Sequence, residues 1–166
     1  QQWYNSGRNK IVMSLIKKTG VASGIVFIVF IVIQFIQPAR NKSDLLLATD
    51  ILKTVSISDS VRAILKNACY DCHSNNTNYP WYSRVQPVGW FLENHINKGK
   101  EQLNFSEFGS YSVRKQKSKL KSMANQIEKD QMPLSSYTII HRNARLSQED
   151  KKVLVDYLNA LQDSLL

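Results

Sequence analysis

The chain has 166 residues and a mass of 19.0 kDa, enough for one ordinary domain and a small extra element and too few for a large multidomain enzyme. Apolar residues at 43% and charged residues at 21% exclude disorder, and a mean hydropathy of -0.31 argues against several membrane crossings. The formal charge of +9 has the sign of a nucleic-acid binder, and two cysteines three positions apart exclude a disulfide framework.

The first feature along the chain is the 21-residue gap without charge between Lys18 and Arg40, in which Val21–Ile36 reads VASGIVFIVFIVIQFI. A helix over 19–36 spans roughly 27 Å, close to the hydrocarbon thickness of a bilayer. A transmembrane anchor is therefore expected over residues 19–37, in contact with the lipid bilayer. A cleaved signal peptide is disfavoured because the apolar stretch is long and no A-x-A site follows it. The helix of a soluble core would have to be enclosed on every side. Arg8, Lys10, Lys17 and Lys18 precede the stretch without an acidic residue, whereas Arg40 and Lys42 after it are soon offset by Asp44 and Asp50. The positive-inside rule thus puts a stub, 1–18, in the cytoplasm and the rest outside. About half of the basic excess becomes a topology signal, and nucleic acid drops out as a partner.

Residues 38–57 read as a linker with an apolar patch at Leu45–Leu47, and 58–166 as the functional domain. Ser58 is a helix cap followed by Val61, Ile64, Leu65 and Ala68 on one face. Tyr79–Trp90 is aromatic and broken by two prolines. A helix is expected over Trp90–Asn97, stopped by Lys98-Gly99, and another over Ser112–Lys129 with Val113, Leu120, Met123, Ala124 and Ile127 inward. Asp130–Tyr137 reads as a loop. The last helix follows Ser147, with Asp150 three residues on and a stripe of Val153, Leu154, Tyr157, Leu158 and Leu161. No strand alternation and no glycine-rich phosphate loop is evident, so the fold class is mainly α.

The chemical signature is Cys69-Tyr70-Asp71-Cys72-His73, the C-x-x-C-H pattern of c-type haem attachment. At helical spacing the two thiols and the imidazole share one side, so the thiols can meet two vinyl groups of a porphyrin while His73 reaches the iron. A redox dithiol, a zinc site and a local disulfide are the competing chemistries; the first lacks a βαβ context and the second lacks further ligands nearby. The sixth iron position has four candidates: Met123, Met132, His95 and His141. Met132 is favoured, because it lies in a loop directly before Pro133 and ahead of the last helix, whereas Met123 sits on an apolar helix face. A thioether there favours Fe(II) and raises the reduction potential relative to two histidines.

These residues resemble the bacterial haem-binding-domain family of membrane-anchored monohaem proteins related to cytochrome c. The resemblance rests on CYDCHSNNTNYPWYS at 69–83, Pro87, Trp90, LNFSEF at 103–108, QMP at 131–133 and HRNARLSQED at 141–150. It implies a cytochrome c-like haem domain behind a single N-terminal transmembrane helix, and one covalent haem c whose iron is held by His73 and Met132. It also implies that Tyr79, Trp81 and Tyr82 belong to the pocket or its cover. Arg84, Arg142 and Arg145 are the arginines available for the haem propionates. The function expected is single-electron transfer beside a membrane redox complex or a soluble electron-transfer protein, without catalysis. The alternatives are an accessory or assembly subunit with a structural haem, and a sensor or peroxidase-like protein with an open sixth site. The basic run Arg114, Lys115, Lys117, Lys119 and Lys121 is either a solvated helix face or a docking surface for an acidic partner.

Overall fold

A computed structural model describes the backbone of residues 2–43 and 45–165, with side chains from residue 17 onward. Every regular element in it is helical, and the only strand-like pairing among the described residues is an isolated bridge between Lys42 and Asn76. The α-helices are α1 Gln2–Ile33, α2 Ile51–Thr54, α3 Asp59–Ala68, α4 Tyr70–His73, α5 Val88–Gln102, α6 Val113–Glu128, α7 Ser135–Thr138 and α8 Gln148–Ser164. They divide between two compact units, Gln1–Ala39 with Trp81–Phe91, and Arg40–Pro80 with Leu92–Leu166.

In the first unit α1 carries the apolar stretch, and its Ile and Val side chains from Val21 to Val32 are exposed. Among the described residues no helix is long and apolar enough to cross a membrane. The anchor expected over 19–37 is not shown by the fold: α1 stops at Ile33, four residues short of the expected end. The reason lies in two glutamines. Gln34 accepts from the Gln86 backbone N–H (2.8 Å) and donates to the Gln86 carbonyl (3.0 Å), and Gln37 donates to the Arg84 carbonyl (3.1 Å) and accepts from the Gln86 side chain (3.0 Å). The Trp90 indole N–H closes the set on the Ile36 carbonyl at 2.8 Å. The same two side chains also donate to the Phe30 carbonyl (Gln34, 2.9 Å) and the Gln34 carbonyl (Gln37, 2.8 Å), acceptors that the helix end leaves open, and Pro38 then forbids its continuation. The expected stub 1–18, with Arg8 and Lys10, falls mostly outside the described side chains, and Asp44 lies outside the described residues.

The second unit holds the core. Two helix starts follow the expected caps, Ser58 accepting from the Val61 N–H and Ser147 forming a full capping box with Asp150, and Ser112 caps α6 by accepting from the Lys115 N–H. The capping bonds hold the Asp150 carboxyl below its ordinary range. α6 packs along α8, and α3 packs on α8 and on the 3-10 turn Arg142–Ala144. Val61 and Leu65, Leu120, Ala124 and Ile127, and Leu154 and Leu158 meet in one cluster, each such burial contributing roughly 1.5–3 kcal/mol. Val113 and Val153, expected inward, are exposed, and Val155 takes the buried place.

The segment 38–57 is no linker. Asp50 caps α2 and is fully buried, and Ile51 and Leu52 enter the core. Gly99 does not stop a helix either: α5 runs three residues beyond it, to Gln102. Its missing side chain serves packing: a Cβ there would stand 2.6 Å from the Cys72 carbonyl oxygen.

Candidate functional site

The Cys-x-x-Cys-His stretch follows α3 directly, with Cys69 as the joint between two helices. Cys69 ends α3 through its N–H on the Leu65 carbonyl and starts α4, whose turn closes by the His73 N–H on the Cys69 carbonyl at 3.0 Å. Two loops then hold this turn. Asp71 accepts from the Asn78 N–H (3.0 Å) and from the Tyr137 hydroxyl (2.6 Å), and the Thr77 hydroxyl donates to the Asp71 carbonyl (2.6 Å). Asn41 reaches in from the segment before α2 to donate to the Ser74 carbonyl and the Thr77 hydroxyl. From the other side Tyr70 donates to the buried Asp50 at 2.7 Å and stacks on Phe105 at 5.2 Å between centroids. Burial, and then that bond to Asp50, push the Tyr70 hydroxyl far above its ordinary pKa, so it remains a donor.

His73 is oriented by the end of α5. Its Nδ1 lies 3.0 Å from the Leu103 carbonyl, an acceptor left without an intrahelical partner just past the helix terminus. A carbonyl can only accept, so Nδ1 carries the proton and Nε2 keeps its lone pair. Burial lowers the His73 pKa, which holds the ring in this neutral form, and Phe105 lies against it at 5.9 Å. This is the tautomer a metal-binding imidazole needs. Gly99 makes the approach of α5 possible, since any side chain there would strike the Cys72 backbone.

Cys69, Cys72 and His73 open onto one cavity of about 340 Å³, within the roughly 300–1,000 Å³ of small-molecule and cofactor pockets. Met132, Met123 and His95 line the same space, so three of the four sixth-ligand candidates are brought together with His73. His141 is not on the wall; it stacks on Tyr137 at 4.2 Å. The remaining surface is mostly apolar, with Leu103, Phe105, Ile127, Leu134 and Leu146 contributing. Both cysteines are free thiols. Burial raises Cys69 to about 12, with neighbouring Cys72 adding to the effect, and raises Cys72 to about 11, with Asp71 adding. They therefore stay protonated at neutral pH, unlike the lowered thiols of a reactive dithiol. Among the described residues, His, Cys, Asp and Glu form no group of three or more able to hold a metal ion.

The aromatic run stands elsewhere. None of Tyr79, Trp81 and Tyr82 lines the cavity. Tyr79 donates to Glu93 at 2.7 Å, accepts from the Asn41 N–H and carries the Arg40 guanidinium over its ring, so it fastens the segment before α2. Trp81 and Tyr82 belong to the first unit, where Trp81 is 81% exposed with its ring edge-on to Tyr82. Aromatic content marks a surface with packing to do but does not say which surface. The arginines expected at the propionates are absent from the wall too; Lys98 and Lys119 are its cations. The residues that the sequence did not expose as site residues are Leu103, Gly99, Phe105 and Tyr137. The first three lie in or near the stretch LNFSEF, whose role is to meet the Cys-x-x-Cys-His turn.

Two thiols, a neutral imidazole with its outer nitrogen free of the Leu103 bond, and thioethers on the same apolar cavity make up a donor set that fits haem. That places the molecule among helical haem proteins. The chain matches the Haem-binding domain family over residues 28–160 and belongs to it. The match reaches back into α1 and through 38–57, as the burial of Asp50 and Ile51 also requires. Comparison with curated proteins and with solved structures found no match.

Proposed function

We propose that the protein is a membrane-tethered single-haem cytochrome c that carries electrons one at a time. The observation that carries this reading is the His73 geometry, an Nδ1–H committed to the Leu103 carbonyl on a cavity that also holds Cys69, Cys72 and Met132. Cys69 and Cys72 would bear thioether links to the porphyrin, His73 would ligate through Nε2, and Met132 would ligate from the loop between α6 and α7. Bound there, haem iron supplies reversible Fe(III)/Fe(II) exchange. The apolar wall around Phe105, Leu134 and Leu146 keeps water from the ligands, and the Tyr137–Asp71 bond ties the Met132 side of the cavity to the His73 side.

Tethering is supported by the charge-free interval between Lys18 and Arg40 and by the exposed apolar side chains of α1, which water does not favour. The basic residues ahead of that interval favour an N-terminus in the bacterial cytoplasm and a haem domain in the periplasm, beside a membrane redox complex or a soluble electron-transfer partner. Potentiometric titration of the haem-loaded full chain tests the carrier role. A reversible one-electron transition without carbon monoxide binding to the reduced form is expected. Rapid carbon monoxide binding would instead mean an open sixth site, the property of a sensor or peroxidase-like protein.

A further inference from the structure

The cavity wall carries positive charge without a counter-charge. On α5, Lys98 and Gln102 are four residues apart, and on α6, Lys119, Ser122 and Gln126 follow at three and four, so each set occupies one helix edge. Deeper residues of α6, Met123 and Ile127, are apolar. No aspartate or glutamate lines the cavity, and neither Lys98 nor Lys119 forms an ion pair or side-chain hydrogen bond among the described residues. Lys98 is exposed and Lys119 half-buried. An ammonium group at the edge of an apolar space favours a ligand that brings its own anion, because the low-dielectric surroundings screen the attraction less than bulk water does. Haem is such a ligand: an apolar macrocycle with two carboxylates.

We propose that Lys98 and Lys119, aided by the side chains of Gln102, Ser122 and Gln126, form the subsite that receives the two haem carboxylates and selects a dianionic porphyrin over a neutral one. This rests on the haem reading of the same cavity. The selection acts before any covalent link exists, so it sets which porphyrin is held against Cys69 and Cys72.

The test uses the haem-free full chain and iron mesoporphyrin, whose ethyl groups replace the vinyls and prevent attachment, beside its dimethyl ester. At low ionic strength the free acid should bind about tenfold more tightly than the ester, the size expected of two partly exposed ion pairs. Added salt should narrow the gap. In the Lys98→Gln/Lys119→Gln chain the ester should bind as in the wild type while the preference falls to about twofold or less. The unchanged ester affinity shows that the cavity still folds. An undiminished preference in the double variant, or equal binding of acid and ester by the wild type, would overturn the subsite while leaving the haem reading intact. Binding of neither porphyrin would overturn both.

Discussion

The two sides of the cavity are held very differently. The His73 side is fixed by short bonds from four separate segments: Leu103 on the imidazole, Asn78, Thr77 and Tyr137 on Asp71, and Asp50 on Tyr70. On the Met132 side, the backbone N–H of Met132 reaches the Gln126 carbonyl at 3.3 Å, and Met132 shares the cavity wall with Met123 and His95. In the proposed haem site His73 would therefore be set by the fold, and the opposite ligand would be drawn from the donors that share the wall. Affinity should depend mainly on the first side, and reduction potential on the second.

The largest expected effects come from the fixed side. Cys69→Ala/Cys72→Ala should release all haem under denaturing conditions, detected by loss of haem stain on a gel, while the native double variant still binds haem through His73. Retention of stain after denaturation would separate attachment from these thiols. Next comes Gly99→Ala. Its Cβ would meet a backbone oxygen at 2.6 Å, so denaturant titration should show a loss of about 1–3 kcal/mol, with haem affinity reduced as the Cys72 turn is pushed away. An unchanged midpoint would mean that α5 can slide without harm.

Tyr137→Phe removes one hydroxyl donated to a carboxylate and keeps the ring on His141. A loss of about 1.5–3 kcal/mol in chemical unfolding is expected, and because Tyr137 couples the two sides, the Met132 ligand should loosen more than His73. The smallest effect is a pH dependence. Both buried thiols have raised pKa values, so their contribution to stability is complete below the unfolded value near 9 and is lost as pH rises toward about 11 for Cys72 and about 12 for Cys69. The haem-free chain should therefore melt at falling temperatures above pH 9, and thioether formation should remove the thiols' share of that slope, leaving the part above pH ~10 to which the raised Tyr70, Tyr79 and Tyr157 hydroxyls contribute. His73 adds the opposite limb: its lowered folded pKa costs stability as pH falls below about 6.5.

Local chemistry was legible in the sequence and tertiary placement was not. Ser58, Ser112 and Ser147 start their helices because a cap needs only its neighbours three residues on. Cys69, Cys72 and His73 share one cavity because a single turn suffices to gather them. Gly99 misled because a glycine that ends a helix and one that admits a neighbouring carbonyl look alike until Cys72 is placed beside it. Leu103 opens the LNFSEF stretch, but its role was not legible there, since that role belongs to the backbone oxygen. Asp50 reads as a solvated acid until Tyr70, 20 positions away, bonds to it. The resemblance implies Tyr79, Trp81 and Tyr82 in the pocket or its cover; none of them is on the cavity wall, and an aromatic run does not say which surface it covers. The apolar interval before Arg40 was plain, but the end of α1 at Ile33 depends on Gln86, 52 residues beyond Gln34.

The most direct test of the account is the absorption spectrum of the oxidised, haem-loaded chain and its methionine variants. A methionine-to-iron charge-transfer band should be present in the wild type and in Met123→Ala and absent in Met132→Ala, whose reduction potential should fall by on the order of 0.1 V within the ~0.8 V that axial ligands command. A band that survives Met132→Ala, or a high-spin wild-type spectrum, would contradict ligation by His73 and Met132.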